Sequence, residues 1–308
     1  MTSAAPLRLG TRGSALATTQ SQLVADELAR VSGRDVELVH VRTHGDVSTA
    51  PLSTIGGTGV FAAALREALA AGGCDLAVHS LKDLPVLPAP GLVVAATPPR
   101  ADVRDALCAR DGRTLEALPH GARVGTGSPR RAAQLRALRP DLQVVDVRGN
   151  VGTRLARIED DLDAVVLAAA GLDRLGLSDA VTDLFDPSVL LPAPGQGSLA
   201  VEIREDAATT VPGLVEALAE LDDAATRAAV TAERTLLGAL EAGCTAPIGA
   251  WARPGADGGL VLDAVVVSAD GTRQLRATAT GTDAGAADLG RTVAADLLER
   301  GAAELVGA

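Results

Sequence analysis

Between Leu7 and Arg204, short apolar runs of strand length alternate with stretches whose apolar residues recur at helical spacing, and this alternation admits few folds. The first strand is expected over 7–9 and the first helix over roughly 15–31, where Leu16, Gln20, Leu23, Val24, Glu27 and Leu28 show the spacing of one helical face. A strand over 36–43, a Gly-rich loop over 55–59, a helix over 60–71 and a buried strand over 75–79 follow. Strands separated by helices pair in parallel, because the crossover returns the chain to the same end of the sheet, so a largely parallel sheet is expected.

The composition shifts at Pro98-Pro99-Arg100-Ala101-Asp102, and a second alternating series begins near Ala106. Its Gly125-Thr126-Gly127-Ser128-Pro129, placed before a helix, repeats the opening Gly10-Thr11-Arg12-Gly13-Ser14 of the first series. Ser14 and Ser128 suit the N-cap and Pro129 the first helical position. Each series should therefore turn a helix N-terminus, with its free N–H groups and positive dipole end, toward a common cleft. A Pro- and Gly-rich stretch, 191–197, precedes a strand over 198–204 that is expected to return to the first domain and make a double connection. Helices over 212–221 and 224–240, strands over 248–252, 260–268 and 274–280, and a closing helix over 287–300 then form a smaller α+β region, with Ala269-Asp270-Gly271-Thr272 a turn between two strands. The expected class is α/β with three domains: 1–99 with 198–217, 103–193, and 220–308.

Composition narrows the partners. With 28 basic against 39 acidic residues the net charge is −11, and aromatics are confined to Phe61, Phe185 and Trp251, so neither a basic surface nor base-stacking platforms are available and no nucleic-acid partner is expected. Apolar runs such as 164–171 fall far short of the ~20 residues of a membrane-spanning helix. Residues 1–9 show no leader pattern, so no membrane is expected and a cytoplasmic location is. Cys74, Cys108 and Cys244 lie far apart, which excludes a disulfide framework and a zinc site, and no metal is expected.

The acidic average conceals a reversal. From Arg123 to Arg157 there are eight basic residues (Arg123, Arg130, Arg131, Arg136, Arg139, Arg148, Arg154 and Arg157) against Asp141 and Asp146. Arginines can simply solvate a helix face, but several here sit at turns beside glycines, where a guanidinium can grip a carboxylate or phosphate with two hydrogen bonds. Lys82 is the one lysine in the chain, inside His79-Ser80-Leu81-Lys82-Asp83-Leu84-Pro85 directly after a strand. A compact ammonium offers what arginine does not, and Asp83 stands where open α/β sheets place their ligands; the plainer alternative is a solvated pair in a surface loop. Arg148-Gly149-Asn150-Val151-Gly152-Thr153-Arg154 follows a strand over 142–147 and reads either as a second cleft edge or as a tight turn with exposed arginines. Gly125-Thr126-Gly127-Ser128 lacks the spacing of a nucleotide fingerprint. Cys244, past a helix end with Gly243 as a left-handed cap, gains nothing from the dipole toward a thiolate and reads alone as a packing residue, although a strong electrophile would still trap it.

These segments, with His40–Asp46, Gly56–Phe61, Ala170–Gly176, Pro194–Gly197 and Gly243–Gly249, resemble the porphobilinogen deaminase (hydroxymethylbilane synthase) family in order and spacing over nearly the whole chain. The resemblance implies two doubly wound domains of periplasmic-binding-protein type and a third that presents a cysteine. It implies one dipyrromethane cofactor per chain, joined to Cys244 by a thioether, and stepwise condensation of four porphobilinogen molecules with release of ammonia and then of hydroxymethylbilane. Loss of ammonia leaves a cationic azafulvene, the electrophile that would alkylate Cys244, and Asp83 would serve as acid/base and stabilise that cation. Carried over residue by residue, Cys244, Lys82, Ser80, Thr126, Ser128, Arg130, Arg131 and Gly171 would hold the cofactor, and Arg12, Ser14, Gln20, Arg148, Arg154, Arg174, Phe61 and Gln196 the substrate. Thr54 and Thr58 stand where many members carry lysines, so the resemblance gives that loop no charge-neutralising role. Porphobilinogen is then the small-molecule partner and a monomer is expected. A non-catalytic solute-binding module is the rival from another class, and a nucleotide-dependent enzyme a weaker one.

Overall fold

The computed structural model describes residues 5–41, 60–241 and 246–306, without the side chains of Val60, Phe61 and Val306. In chain order the main elements are β1 (Leu7–Arg12), α1 (Ala15–Ser32), β2 (Val36–Val41), α2 (Val60–Ala70), β3 (Leu76–Ser80), β4 (Leu92–Ala96), β5 (Asp105–Ala109), β6 (Arg123–Gly125), α3 (Pro129–Leu138), β7 (Gln143–Val145), α4 (Val151–Asp160), β8 (Ala164–Ala168), α5 (Ala169–Arg174), β9 (Asp183–Leu184) and β10 (Leu199–Arg204). There follow α6 (Ala207–Thr210), α7 (Leu214–Leu221), α8 (Ala224–Ala239), β11 (Ile248–Pro254), β12 (Leu260–Val267), β13 (Gln274–Gly281), α9 (Ala286–Glu299) and α10 (Ala302–Val306). The chain divides into two compact units, 1–100 with 198–227, and 101–197 with 228–308.

In the first unit the strand order is β2-β1-β3-β10-β4. β1 pairs parallel with both β2 and β3, as the crossover argument requires, but β10 runs antiparallel to β3 and β4. The second unit repeats the arrangement as β7-β6-β8-β5-β9, again with parallel pairs β6·β7 and β6·β8 and antiparallel pairs β5·β8 and β5·β9. The largely parallel sheet expected from the alternation is therefore a mixed one. β5 enters the second sheet and β10 re-enters the first without a crossover helix of its own, so nothing forces them parallel.

Both faces of the second sheet are apolar, which is why its strands read as continuous hydrophobic runs. Leu107 and Val166 pack with Leu135 of α3 on one side, while Ala106, Cys108, Val165 and Leu167 pack with Ile158 of α4 and Leu172 of α5 on the other. Helices on both faces make this a doubly wound layer. In the first unit α1 and α7 cover one face through Val24, Leu28, Leu214 and Leu218, and Leu65 and Leu69 of α2 pack with Ala77 of β3 in a separate cluster.

The expected third region has its own antiparallel sheet, β11-β12-β13, with α9 packed along it. It is nevertheless part of the second unit, because Val265 and Val267 of β12 share a small core with Ala133 of α3 and Leu191. Gly271, in the turn between β12 and β13, has φ +79, and a Cβ there would lie 2.7 Å from the backbone N of Ala137. That turn does more than join strands: it seats against α3.

The glycines of 125–127 also owe their place to packing. A Cβ on Gly125 would lie 2.5 Å from Cγ2 of Val147 and 2.6 Å from Cδ1 of Leu162, and one on Gly127 would lie 2.6 Å from the carbonyl oxygen of Val147. Gly125→Ala should therefore destabilise the protein by about 1–3 kcal/mol through overpacking, read as a lower urea midpoint with an unchanged m value.

Candidate active site

In the first unit the Lys82–Asp83 pair is set by a single 3-10 turn, Leu81–Asp83, immediately after β3. Leu81 and Leu84 are buried on either side of the pair, and the turn is held by Leu81 N–H donating to the Ser198 carbonyl (3.0 Å) and Leu84 N–H to the Leu81 carbonyl (3.1 Å). With its flanks anchored, Asp83 is exposed and Lys82 half-buried. β1 pairs parallel with β3 in the register Leu9↔Leu76 and Gly10↔Ala77, so Arg12 and Ser80, the last residues of these strands, lie toward the same end of the sheet. Ser80 donates through Oγ to Oε1 of the buried Gln20 at 3.0 Å, joining two of the expected site residues across β3 and α1. Ser14 is the N-cap of α1, accepting from Ala17 N–H.

Beside β3 lies a buried cluster that the sequence alone does not assign. Glu202 of β10 receives Nε of Arg66 on both oxygens at 3.1 Å and NH2 of Arg66 at 2.8 Å, and His79 Nε2 stands 3.2 Å from it. Burial alone would raise the Glu202 carboxyl, but His79 beside it and the hydrogen bonds from Arg66 outweigh it and hold the group below the usual carboxylate range. The available signal was one glutamate among the apolar residues of 199–203.

In the second unit Ser128 caps α3, accepting from Arg131 N–H, with Pro129 as the first helical residue, as the sequence indicates. Thr126 is buried, and its Oγ1 accepts from Ser128 N–H at 3.3 Å. Arg148 lies beside Asp146 (3.3 Å), and Arg154 donates through Nε to the Gly149 carbonyl (2.8 Å) next to Asn150, the N-cap of α4. The segment 148–154 is thus a helix start in addition to a turn. Arg174, on α5 with the buried Gly171, donates to the Gly197 carbonyl at 2.8 Å, and burial pulls its guanidinium down from the usual value.

The local excess of positive charge is smaller in space than along the chain. Arg123 and Arg157 both pair with Asp161, Arg139 pairs with Asp141, and Arg136 donates to the Ala269 carbonyl. Arg130 and Arg131 are 4% and 5% exposed and share Asp105, through Arg130 NH2 to Oδ2 and Arg131 NH2 to Oδ1, each at 2.8 Å. Counting charges in a sequence window omitted Asp105 and Asp161, which lie outside it. Burial works against Asp105, yet the two arginines and a hydrogen bond from Gln196 hold its carboxyl at about 2.

Cys244, the loop 55–59 and the side chain of Phe61 lie outside the described residues. Among those described, no helix is long and apolar enough to cross a membrane, and no group of three or more His, Cys, Asp or Glu side chains is placed to hold a metal.

Comparison with known proteins gives two family matches: residues 7–211 to "Porphobilinogen deaminase, dipyromethane cofactor binding domain" and 227–299 to "Porphobilinogen deaminase, C-terminal domain". The chain is 58% identical to the porphobilinogen deaminase of Leifsonia xyli subsp. xyli, with 97% of this chain and 94% of that one covered. It is 54% identical to that of Thermobifida fusca, with coverages of 99% and 97%. Among solved structures, the methionine-binding protein MetQ aligns with 70% of the chain and 89% of its own length at 14% identity and a TM-score of 0.43, too distant to bear on the reading.

Proposed function

The chain belongs to the porphobilinogen deaminase family, and from that premise we propose which of its residues carry the reaction. The protein is a transferase of tetrapyrrole biosynthesis, a hydroxymethylbilane synthase, that works with a dipyrromethane cofactor and takes porphobilinogen as its small-molecule substrate. When bound, the cofactor supplies the primer from which the pyrrole chain grows. Its carboxylates suit the second unit's surplus of guanidinium over carboxylate around Asp105, where Arg130 Nε is buried without a hydrogen-bond partner. We assign Cys244 as its covalent attachment point. Lys82, Ser80, Thr126, Ser128, Arg130, Arg131 and the backbone at Gly171 would hold it.

Asp83 is the acid/base residue in this reading. Each addition breaks the C–N bond of an aminomethyl group as ammonia leaves, and forms a C–C bond to a ring carbon that gives up its proton. An ionised carboxylate beside the pyrrole N–H groups balances the positive charge that develops and receives that proton. The observation that carries the assignment is the turn itself, in which two buried leucines present Asp83 to solvent at the carboxyl end of β3. Arg12, Arg148, Arg154 and Arg174, with Ser14, Gln20 and Gln196, are proposed to take the carboxylates of incoming rings, and Phe61 to pack on a pyrrole face. The protein is proposed to act as a cytoplasmic monomer.

The experiment is to give purified protein porphobilinogen and measure ammonia. Equimolar loss of porphobilinogen and gain of ammonia supports the reading. Saturable binding with no ammonia released would establish the solute-binding alternative.

A further inference from the structure

The chain enters its second unit at Ala101 and leaves it after Gly197, and just inside the unit these two connections meet around a buried charge cluster. Asp105, the first residue of β5, is 0% exposed. Arg131 gives Oδ1 of Asp105 its Nε at 2.9 Å and stands with NH2 2.8 Å away, Arg130 NH2 forms an ion pair with Oδ2 at 2.8 Å, and Gln196 donates Nε2 to the same Oδ1 at 2.8 Å while also donating to the Val103 carbonyl at 2.8 Å. Arg131 further donates to the Val166 carbonyl at 3.1 Å. The connections also touch directly: Ala101 N–H donates to the Gly197 carbonyl at 3.3 Å, and a Cβ on Gly197 would lie 2.6 Å from the Ala101 carbonyl oxygen.

Two guanidiniums against one carboxylate leave one surplus positive charge out of water, an arrangement that stability alone does not favour. Adjacent like charges on α3 would splay apart on flexible stems unless a shared anion fixed their spacing. Arg130 Nε, buried without a hydrogen-bond partner, is a separate sign of capacity for one more acceptor.

We infer that Asp105 is a positioning residue for the reaction: it fixes Arg130 and Arg131 at a set spacing with one surplus positive charge available to pyrrole carboxylates, and Gln196 keys that arrangement to the segment that leaves the unit. The inference rests on the proposed binding role of the two arginines. Asp105→Asn keeps the size of the side chain and removes its charge. Gln196→Met keeps all three charges and removes the amide's hydrogen bonds with Asp105, Arg131 and the Val103 carbonyl.

Melting temperature, intact mass, and KM and kcat over a range of ionic strength are measured for each variant. For the folded, cofactor-loaded fraction of Asp105→Asn, KM should change at least about tenfold and its salt dependence should steepen. For Gln196→Met, kcat and kcat/KM should both fall several-fold. A lower melting temperature with normal KM and normal salt dependence in Asp105→Asn would mean that the carboxylate only stabilises the fold, and the inference fails. Should Asp105→Asn not fold, Gln196→Met decides: unchanged kcat overturns the coupling. If wild-type protein itself carries no dipyrrole mass, the reading beneath the inference fails instead.

Discussion

Asp83→Asn should leave the protein folded and cofactor-loaded yet lower turnover by roughly a thousandfold or more. The turn that presents it is held by Leu81, Leu84 and two backbone hydrogen bonds, none of which involves the Asp83 side chain. Substitution at an exposed position of this kind usually changes stability by less than about 0.5 kcal/mol. An amide of the same shape retains hydrogen-bonding groups but neither takes a proton nor balances a developing cation. General acid–base action by a placed side chain contributes on the order of 10²–10⁴, and loss of charge stabilisation adds to that. The measurement is ammonia release per loaded enzyme at saturating porphobilinogen, with the melting temperature as control. Turnover within about tenfold of wild type would remove Asp83 from the central role.

Cys244→Ser should be more severe still. Wild-type protein is expected to weigh more than its sequence by one dipyrrole adduct, and the variant to match its sequence mass and make no tetrapyrrole. A serine hydroxyl is a far poorer nucleophile than a thiol toward a carbon electrophile at neutral pH, so the attachment should not form. Cys74 and Cys108 are poor substitutes: both are buried, and burial raises their thiols, Cys108 to about 11. An adduct that persists in Cys244→Ser, or wild-type protein that is active at bare sequence mass, would overturn the attachment assignment. Mass spectrometry of a Cys244-containing peptide would then locate the true site.

Local chemistry made much of this legible in advance. Ser14 and Ser128 announce helix starts because a hydroxyl satisfies N–H groups that the helix leaves unpaired, and Pro129 because its fixed φ and missing N–H are harmless there. The strand at 199–204 was traceable to the first sheet because its apolar run follows a second Pro-Gly crossing. Lys82 stood out because it has no equal in the chain.

Other features had no local signature. A run of apolar residues fits a parallel or an antiparallel neighbour equally well, so the direction of β5 and β10 in their sheets was invisible. Nothing near Gly125 and Gly127 in the sequence shows that they are required by contact with Val147, and Gly125 also with Leu162, twenty or more residues away in the chain. The local charge of the arginine-rich stretch was not legible for the same reason, since Arg130 and Arg131 share Asp105, twenty-five and twenty-six positions earlier.

The sequence by itself determined that helices begin after Ser14 and Ser128, that 199–204 is a strand, that the C-terminal strands form a sheet of their own and which side chains carry groups capable of acid–base or anion-binding chemistry. These depend on bonds and spacings within a few residues. Only the tertiary structure decided which charges cancel, which glycines are tight, and that Asp83 is lifted out between two buried leucines while Glu202 and Asp105 are sealed in. Burial and electrostatics follow distance through space, and the partners that set them here are far apart along the chain.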